Sequence, residues 1–293
     1  MTVTDVNVVK SAIFERPDDA NKGTLGSLLC VCGSYGMAGA AVMSAKGALR
    51  TGIGLAKCAL PRSIYPIVAQ TILESVYYPL SENADGRISK VNVPFLVSES
   101  CKSSATLVGC GLGVCDDTLK IVFSLIENST TPLVLDADAL NCVAKQPEIL
   151  LKKKAPIIIT PHPGEMSRLT GLATPLVNAE RERVALDFAQ KYGVVTVLKG
   201  AGTVIASPNG KVLVNPTGNS GMATGGSGDV LAGTVASLVS RGINETVASA
   251  MAVYIHGLAG DIAKDKYGIE SVTASKVMEC IPCALRQILQ VEN

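Results

Sequence analysis

The sequence lacks tryptophan, and aromatic residues make up only 4% of it, although 47% of the residues are hydrophobic. It also lacks an excess of either charge, since 26 Lys and Arg residues oppose 25 Asp and Glu residues without a basic block. This balance argues against nucleic acid or an anionic membrane as the main partner. The apolar content is ample for the core of a 293-residue α/β protein.

Targeting segments and a disulfide framework are missing too. The N-terminus has no basic segment followed by an apolar one, and Lys46, Arg50 and Lys57 interrupt the apolar stretch 38–60. The nine cysteines are an odd number scattered through apolar runs, which predicts buried thiols in a cytoplasmic protein. Cys280 and Cys283 have CxxC spacing, but no second pair or His cluster accompanies them, so we predict neither a zinc site nor a redox role.

Short apolar runs alternate with helical patterns along the chain, which is typical of a parallel sheet with crossover helices. We predict one α/β domain over residues 26–293, with a central, mostly parallel sheet and helices on both faces, after a lead-in segment at residues 1–25. The predicted strands are 27–32, 52–60, 105–108, 133–135, 156–160, 194–198, 204–206 and 212–214, the last two forming a hairpin. The predicted helices are 40–50, 117–127 and 178–192. Three further helical segments are predicted beyond residue 228, of which one is 245–264 and the last ends near residue 289.

Residues 215–234, NPTGNSGMATGGSGDVLAGT, form the most distinctive stretch. Five glycines lie within residues 218–228, and an apolar pattern with helical spacing follows Asp229. A glycine loop that enters a helix N-terminus offers unpaired N–H groups and the positive end of the helix dipole, which suit a phosphate. Asp229 would repel that phosphate unless it takes the proton of an attacking hydroxyl, and the dipole predicts a lowered pKa for its carboxyl group.

A simpler interpretation of this loop is a connecting turn with Asp229 as a helix cap. A turn needs only one or two glycines, whereas this loop has five glycines, together with Thr224 and Ser227, directly before one helix. We therefore favour the phosphate site, formed by Gly225, Gly226, Ser227 and Gly228.

If the strands 27–32, 105–108, 133–135, 156–160 and 194–198 are parallel, the turns after them share one edge of the sheet. That edge then gathers Lys199 as a cation, residues 225–228 as N–H donors and Asp229 as a base. Phosphoryl transfer from a nucleotide requires these parts. The pattern GxxxxGK[ST] is absent, so the sequence is not that of a P-loop enzyme.

Four further side chains have two interpretations each. Asp136 and Asp138 follow a strand and form either a helix cap or a pair beside magnesium. A helix cap accounts for Asp138, so Asp136 is the better candidate for a functional acid. His162 lies between two prolines at a strand end, so we favour a functional role. His256 lies in an apolar helix, so we favour a packed, structural role.

GGSGDVLAG (225–233), after NPTGNSGM (215–222), resembles the anion-hole and base motif of ribokinase-like kinases. The whole set of motifs resembles one branch of them, the ADP- or ATP-dependent NAD(P)H-hydrate dehydratases, over about residues 25–290. The other motifs are GSYGMAGAA (33–41), GCGLG (109–113), LDADALN (135–141), TPHPGEMSRL (160–169) and LKGAGT (198–203).

The resemblance implies a ribokinase-like fold and a lyase that repairs hydrated NADH and NADPH. It implies phosphorylation of the ring hydroxyl of the S-epimer, followed by loss of phosphate. The residues implied to line the adenine nucleotide are Lys199, Gly200, Ala201, Gly202 and Thr203, with Gly228 at its phosphates. Those implied to contact the dinucleotide substrate are Ala40, Gly113, His162 and Asp229. Family members often form tetramers, and Mg²⁺ is expected from the phosphate chemistry, without a ligand motif of its own.

Two departures from the family pattern matter. Many members carry an N-terminal epimerase domain, for which about 25 residues leave no room, so we expect a separate epimerase upstream. Cys110 stands where the family commonly has Pro, which bears on the rigidity of that turn. Two alternatives remain: a ribokinase-like kinase of a small molecule such as a vitamin precursor, and a nucleotide sensor without catalysis. TPHPGEM with GSYGMAGA favours the dehydratase, and the intact loop with Asp229 argues against the sensor.

Overall fold

The computed structural model describes residues 2–3 and 18–290 of the chain. Within this part, ten strands form one sheet in the order β1-β10-β9-β8-β7-β6-β5-β2-β3-β4. Neighbouring strands are parallel except that β9 runs antiparallel to both β8 and β10. The strands are β1 Thr2–Val3, β2 Ser27–Val31, β3 Leu55–Pro61, β4 Val76–Leu80, β5 Ala105–Val108, β6 Leu133–Leu135, β7 Ile157–Ile159, β8 Val195–Leu198, β9 Val204–Ala206 and β10 Val212–Val214.

Helices cover both faces of this sheet. Alternate residues of β2 enter two separate cores, with Leu28 and Cys30 in one and Leu29 and Val31 in the other. This alternation is the period of an extended strand, and it confirms the predicted arrangement of layers. The α-helices of the described part are α1 Ala38–Arg50, α2 Tyr65–Thr71, α3 Val93–Cys101, α4 Asp116–Asn128, α5 Asp138–Val143, α6 Pro163–Thr170, α7 Thr174–Ala179, α8 Arg181–Tyr192, α9 Ser227–Ser240, α10 Glu245–Tyr267 and α11 Ala274–Gln290.

Most predicted elements occur within a few residues of their predicted bounds. Strand β4 was missed because its apolar run contains Pro79, and a proline within a run is typical of an edge strand or of a segment that is not a strand. The helix predicted over 178–192 occurs as α8, which ends at Tyr192 as predicted but begins at Arg181, since residues 178–179 belong to the end of α7. The predicted lead-in segment falls mostly outside the described residues, although Thr2–Val3 pairs with β10.

Helices α1 and α9 pack with their backbones in direct contact. A methyl group on Gly233 would lie 2.0 Å from the carbonyl oxygen of Ser44, and one on Gly47 would lie 2.8 Å from that of Val230. Neither distance leaves room for a side chain, so the sequence has glycine on each helix where they cross. This contact joins α1, which follows the glycine turn at residues 33–39, to α9, which follows the predicted phosphate loop.

Within the described residues, helix α10 is long and apolar enough to cross a membrane. However, 67% of its most apolar 18-residue window is buried inside the protein, and a core helix gives the same pattern. His256 lies in this helix and is 7% exposed, which confirms its predicted packed position.

Candidate active site

The turns predicted to share one edge of the sheet do so, because the strands before them are parallel. Backbone hydrogen bonds link the successive turns to one another. The N–H of Gly33 donates to the carbonyl of Cys110 (2.8 Å), and the N–H of Lys199 donates to the carbonyl of Pro161 (2.8 Å). The candidate residues are therefore held on neighbouring strand ends, where ligands bind in open α/β sheets.

The glycine loop before α9 is anchored on α10. The carboxylate of Asp261 accepts hydrogen bonds from the N–H of Gly218 (2.9 Å) and from the side-chain amide of Asn219 (2.9 Å), and the hydroxyl of Thr217 donates to the carbonyl of Tyr254 (3.0 Å). Sequence reasoning missed Asp261, because it lies over 40 residues away in a helix without other signals.

The loop enters α9 through Gly226, which has φ +88° and is the N-cap residue. This left-handed conformation favours glycine, and a glycine cap brings no side-chain acceptor to the first-turn N–H groups. Gly228 follows in that turn, and a methyl group there would lie 3.3 Å from Nζ of Lys199. The helix start is thus open to an anion and lies beside the predicted cation.

Asp229 is half-buried next to Lys199, and the prediction that its pKa is lowered is wrong. Burial and the neighbouring Asp136 carboxylate raise the pKa of Asp229 to about 6, against the lowering effects of Cys110 and Lys199. Asp229 lies in the first turn of α9, where the helix dipole favours the ionised form, but desolvation and a like charge both disfavour that form and outweigh the dipole. A carboxyl group with this pKa is a stronger base than an ordinary aspartate.

Lys199 is not a free cation. Its Nζ lies 2.6 Å from Oδ1 of Asp136 and 3.8 Å from Oε2 of Glu165, and its side chain is 17% exposed. Burial lowers the pKa of Lys199, but the two carboxylates outweigh that effect and raise it overall. Lys199 therefore stays protonated and is partly neutralised by the protein before any phosphate arrives.

His162 has a structural role that its sequence context did not predict. It is the N-cap of α6: Nδ1 accepts hydrogen bonds from the N–H groups of Gly164 (3.0 Å) and Glu165 (3.3 Å), and the Glu165 carboxylate accepts one from the N–H of His162. Partial burial and the charges of Lys199 and Arg168 lower the pKa of His162, which leaves the ring neutral. Half of the side chain is exposed, so a substrate contact stays a prediction.

Asp138 does not cap α5, contrary to the expected role. Ala137 is the N-cap residue, and the Asp138 carboxylate instead accepts a hydrogen bond from the N–H of Gly113 (2.8 Å). Gly113 has φ +71°, and a methyl group there would lie 2.4 Å from Nε of Arg87. Asp138 thereby fixes the turn that the family resemblance assigns to the substrate.

Ala40 lies beside the same turn. It is buried in the first part of α1, and a methyl group on Gly111 would lie 2.7 Å from its Cβ atom. The structure therefore brings Ala40, Gly113 and Asp138 together on the strand ends of β2, β5 and β6. Their contact with a substrate stays a prediction.

The residues predicted for the adenine nucleotide form a turn between β8 and β9. Gly200 and Gly202 have φ values of +144° and +61°, and the hydroxyl of Thr203 donates to the carbonyl of Gly200 (2.9 Å). Ala201 and Gly202 are exposed, whereas Thr203 is buried. The turn begins at Lys199, so it adjoins the start of α9.

One group of side chains in the described residues approaches metal-binding geometry. Ligand atoms of Cys110, Asp136 and Asp229 lie within 4.8 Å of one another. The group does not fit Mg²⁺, which takes oxygen ligands, because Asp136 already pairs with Lys199 and a hydrogen bond with Cys32 together with burial raises the pKa of the Cys110 thiol well above its usual range. The Cys110 side chain thus lies near the carboxylates of Asp136 and Asp229, whereas the sequence suggested only an effect on the rigidity of its turn.

The sequence profile of the NAD(P)H-hydrate dehydratase family matches residues 28–283 of this chain. The chain is 41% identical over 273 residues to the bifunctional NAD(P)H-hydrate repair enzyme of Thermofilum pendens, a match that covers 93% of this chain and 52% of that protein. The chain therefore spans about half the length of this relative.

Solved structures agree with that assignment. The ADP/ATP-dependent NAD(P)H-hydrate dehydratase from Bacillus subtilis, co-crystallised with ATP and Mg²⁺, superposes with a TM-score of 0.86 at 29% identity and covers 98% of each chain. A ribokinase-like superfamily protein from Enterococcus faecalis has a TM-score of 0.83 at 24% identity, covering 99% of this chain and 97% of that one. The predicted ribokinase-like fold is confirmed.

Proposed function

This chain belongs to the NAD(P)H-hydrate dehydratase family, and we propose that it dehydrates the S-epimer of hydrated NADH or NADPH with ADP or ATP as phosphoryl donor. The observation that carries the proposal is the juxtaposition of an open helix start at Gly228 with the carboxyl group of Asp229, whose pKa is about 6. The open helix start can bind a phosphoryl group, and the Asp229 carboxyl group can accept the proton of an attacking hydroxyl.

In the first step, the ring hydroxyl of the hydrated nicotinamide attacks the terminal phosphorus of the nucleotide. Asp229 accepts the hydroxyl proton as the new P–O bond forms and the bond to the leaving AMP or ADP breaks. Backbone N–H groups at the start of α9 bind the oxygens of the moving phosphoryl group, and Lys199 adds a nearby positive charge. In-line positioning contributes much of the acceleration in a loose transition state.

In the second step, the phosphate ester eliminates. The ring C–O bond breaks and its electron pair leaves with phosphate; the adjacent ring carbon gives its proton to the departing phosphate or to water, and the electron pair of that C–H bond re-forms the double bond of the dihydronicotinamide. Phosphate is a far better leaving group than hydroxide, which explains why a lyase would use a kinase-like site. The products are NAD(P)H, inorganic phosphate, and AMP or ADP.

The remaining contacts follow the family resemblance. We assign the turn 199–203 with Gly225, Gly226, Ser227 and Gly228 to the nucleotide, and Ala40, Gly113 and His162 to the dinucleotide substrate. When bound to the nucleotide, Mg²⁺ supplies charge neutralisation at the phosphate oxygens. We further propose a cytoplasmic homotetramer.

The test is turnover of hydrated NADH and hydrated NADPH by the purified protein with ADP or ATP. We expect the absorbance of reduced nicotinamide to return, with one phosphate released per dinucleotide and no recovery without nucleotide. Recovery of absorbance that is independent of nucleotide, or its absence with both nucleotides, would overturn the proposal.

The same assay separates the alternative functions. A ribokinase-like kinase of another small molecule would consume nucleotide only with its own substrate and would leave hydrated NADH unchanged. A nucleotide sensor would bind ADP or ATP without turnover. Asp229→Asn should bind nucleotide as the unsubstituted protein does, and its turnover should fall by roughly 10²–10⁴-fold.

A further inference from the structure

Asp136 is 1% exposed, although it lies at the end of β6 on the ligand side of the sheet. Its Oδ1 atom accepts hydrogen bonds from the hydroxyl of Thr160 (2.8 Å) and from Nζ of Lys199 (2.6 Å), and its Oδ2 atom lies 3.8 Å from Sγ of Cys110. These partners come from β5, β7 and β8, so three neighbouring strand ends fix one carboxylate.

We propose that Asp136 is a positioning residue of this active site, which holds the Lys199 ammonium group under the start of α9 and sets the charge that Asp229 faces. The inference rests on the proposed function, because Asp229 acts there as the base. Asp136 makes no contact with reacting atoms in this scheme and acts only through Lys199 and Asp229.

The surroundings of Asp229 show why that charge matters. The groups that face it are Asp136 from the end of β6, Cys110 from the turn after β5, Lys199 from the end of β8 and Asp138 from α5. Two of these groups are carboxylates, one is a protonated amine and one is a neutral thiol. Without Asp136, the Lys199 charge and the helix start would both favour ionised Asp229 and make it a weaker base.

The backbone around Asp136 is tightly constrained. Ala137 has φ +49° and ψ −114°, and it is the one non-glycine residue with positive φ in the described part of the chain. A methyl group on Gly109 would lie 1.8 Å from the carbonyl oxygen of Asp136. Such conformations persist where the surrounding structure enforces them, often at functional sites. Here the bend separates two acids: Asp136 faces Lys199, and Asp138 binds the N–H of Gly113.

The first experiment compares Asp136→Asn with Asp138→Asn. For Asp136→Asn, we expect the acidic limb of the kcat/KM pH profile to move to lower pH by about one unit, and the plateau kcat to fall by roughly tenfold. The KM for the dinucleotide should change little. Asp138→Asn should raise that KM, because it releases the Gly113 turn, and should move the acidic limb much less. Equal movement of the limb in both variants, or in neither, would overturn the proposal.

The second experiment needs no turnover. Carbon-13 NMR of the Asp229 carboxyl group in the ligand-free protein, assigned with Asp229→Asn, should show titration at lower pH in Asp136→Asn than in the unsubstituted protein. If the single variant does not fold, Asp136→Asn combined with Lys199→Met removes both charges and should still lower the midpoint, since Asp136 acts more strongly than Lys199 on Asp229.

The two failures are distinguishable. An unsubstituted protein that does not dehydrate hydrated NADH refutes the proposed function, and the NMR titration then still decides whether Asp136 controls Asp229. An active protein whose Asp229 midpoint and acidic limb are both unmoved by loss of Asp136 refutes the inference alone.

Discussion

The Nζ atom of Lys199 lies 2.6 Å from Oδ1 of Asp136, in an ion pair whose side chains are only 17% and 2% exposed. Removing one partner of a buried pair leaves an uncompensated charge, which costs about 3–5 kcal/mol. We expect Lys199→Met to lower the free energy of unfolding by that amount, measured by urea denaturation. Asp136→Asn combined with Lys199→Met should recover much of the loss.

The matched control for this pair is Lys152→Met. Lys152 lies 3.0 Å from Glu127 in an ion pair whose side chains are 60% and 37% exposed. Exposed pairs contribute at most about 1 kcal/mol, so this variant should unfold nearly as the unsubstituted protein does. A Lys199→Met variant with full stability would contradict a buried charge at Asp136.

Asp229→Asn should stabilise the protein while it abolishes most activity. The folded-state pKa of about 6 exceeds the reference value of 3.8, so the unfolded chain releases this proton first as pH rises. Stability is therefore lost between about pH 4 and pH 6, and the loss reaches up to about 3 kcal/mol. In thermal unfolding, the melting temperature of Asp229→Asn should exceed that of the unsubstituted protein at pH 7 and equal it below pH 4.

Asp187→Asn is the control for that pH dependence, because the Asp187 side chain is 62% exposed. It should not alter the pH profile of the melting temperature. A gain in stability that is the same at pH 3.5 and pH 7 for Asp229→Asn would argue against a raised pKa.

Gly228→Ala should weaken nucleotide binding without harm to the fold. The added methyl group would lie 3.3 Å from Nζ of Lys199, on the side where the phosphate is expected, while alanine is a better helix former than glycine. We expect the KM for ADP or ATP to rise by about tenfold or more. Gly39→Ala places a methyl group in open space in the first part of α1 and should leave the nucleotide KM unchanged. Equal nucleotide KM values for the two variants would refute the phosphate site.

His256 should make the protein sensitive to mild acid. Burial lowers its pKa from 6.5 to about 4, so the unfolded chain gains a proton below pH 6.5 that the folded protein does not. Stability is lost as pH falls from about 6.5 to 4, by about 3 kcal/mol at most. In the unsubstituted protein the Ser227 hydroxyl lies 3.5 Å from Nε2 of His256, and the amide of His256→Gln can still contact that hydroxyl. The variant has no imidazole to protonate, so it should not lose this stability in acid. Melting temperatures of the two proteins that keep a constant difference from pH 8 to pH 4.5 would contradict this account.

Periodicity and glycine placement predicted the architecture well. The bounds of β5, β6, β9 and β10 agree residue for residue, because each is a short apolar run between turn residues. The shared edge of the sheet followed from strand direction alone. Strand β4 escaped prediction because Pro79 lies within it, and an edge strand tolerates a proline that a central strand does not.

The electrostatics of the site could not be predicted in the same way. The partner of Lys199 lies 63 residues earlier in the chain, and only the folded structure brings the two together. The pKa of Asp229 was therefore predicted with the wrong sign, since the sequence shows the helix start but neither the burial nor the nearby Asp136. His162 is similar: its cap on α6 depends on Glu165, three residues later, a partner visible in the sequence but not recognised for a histidine cap.

The close packing of Gly47 on Val230 and of Gly233 on Ser44 restricts how α1 and α9 can move relative to each other. Because the two backbones are in direct contact there, we expect α1 and α9 to move as one body. We therefore expect a rearrangement on ligand binding to involve the exposed turn at residues 200–202 instead.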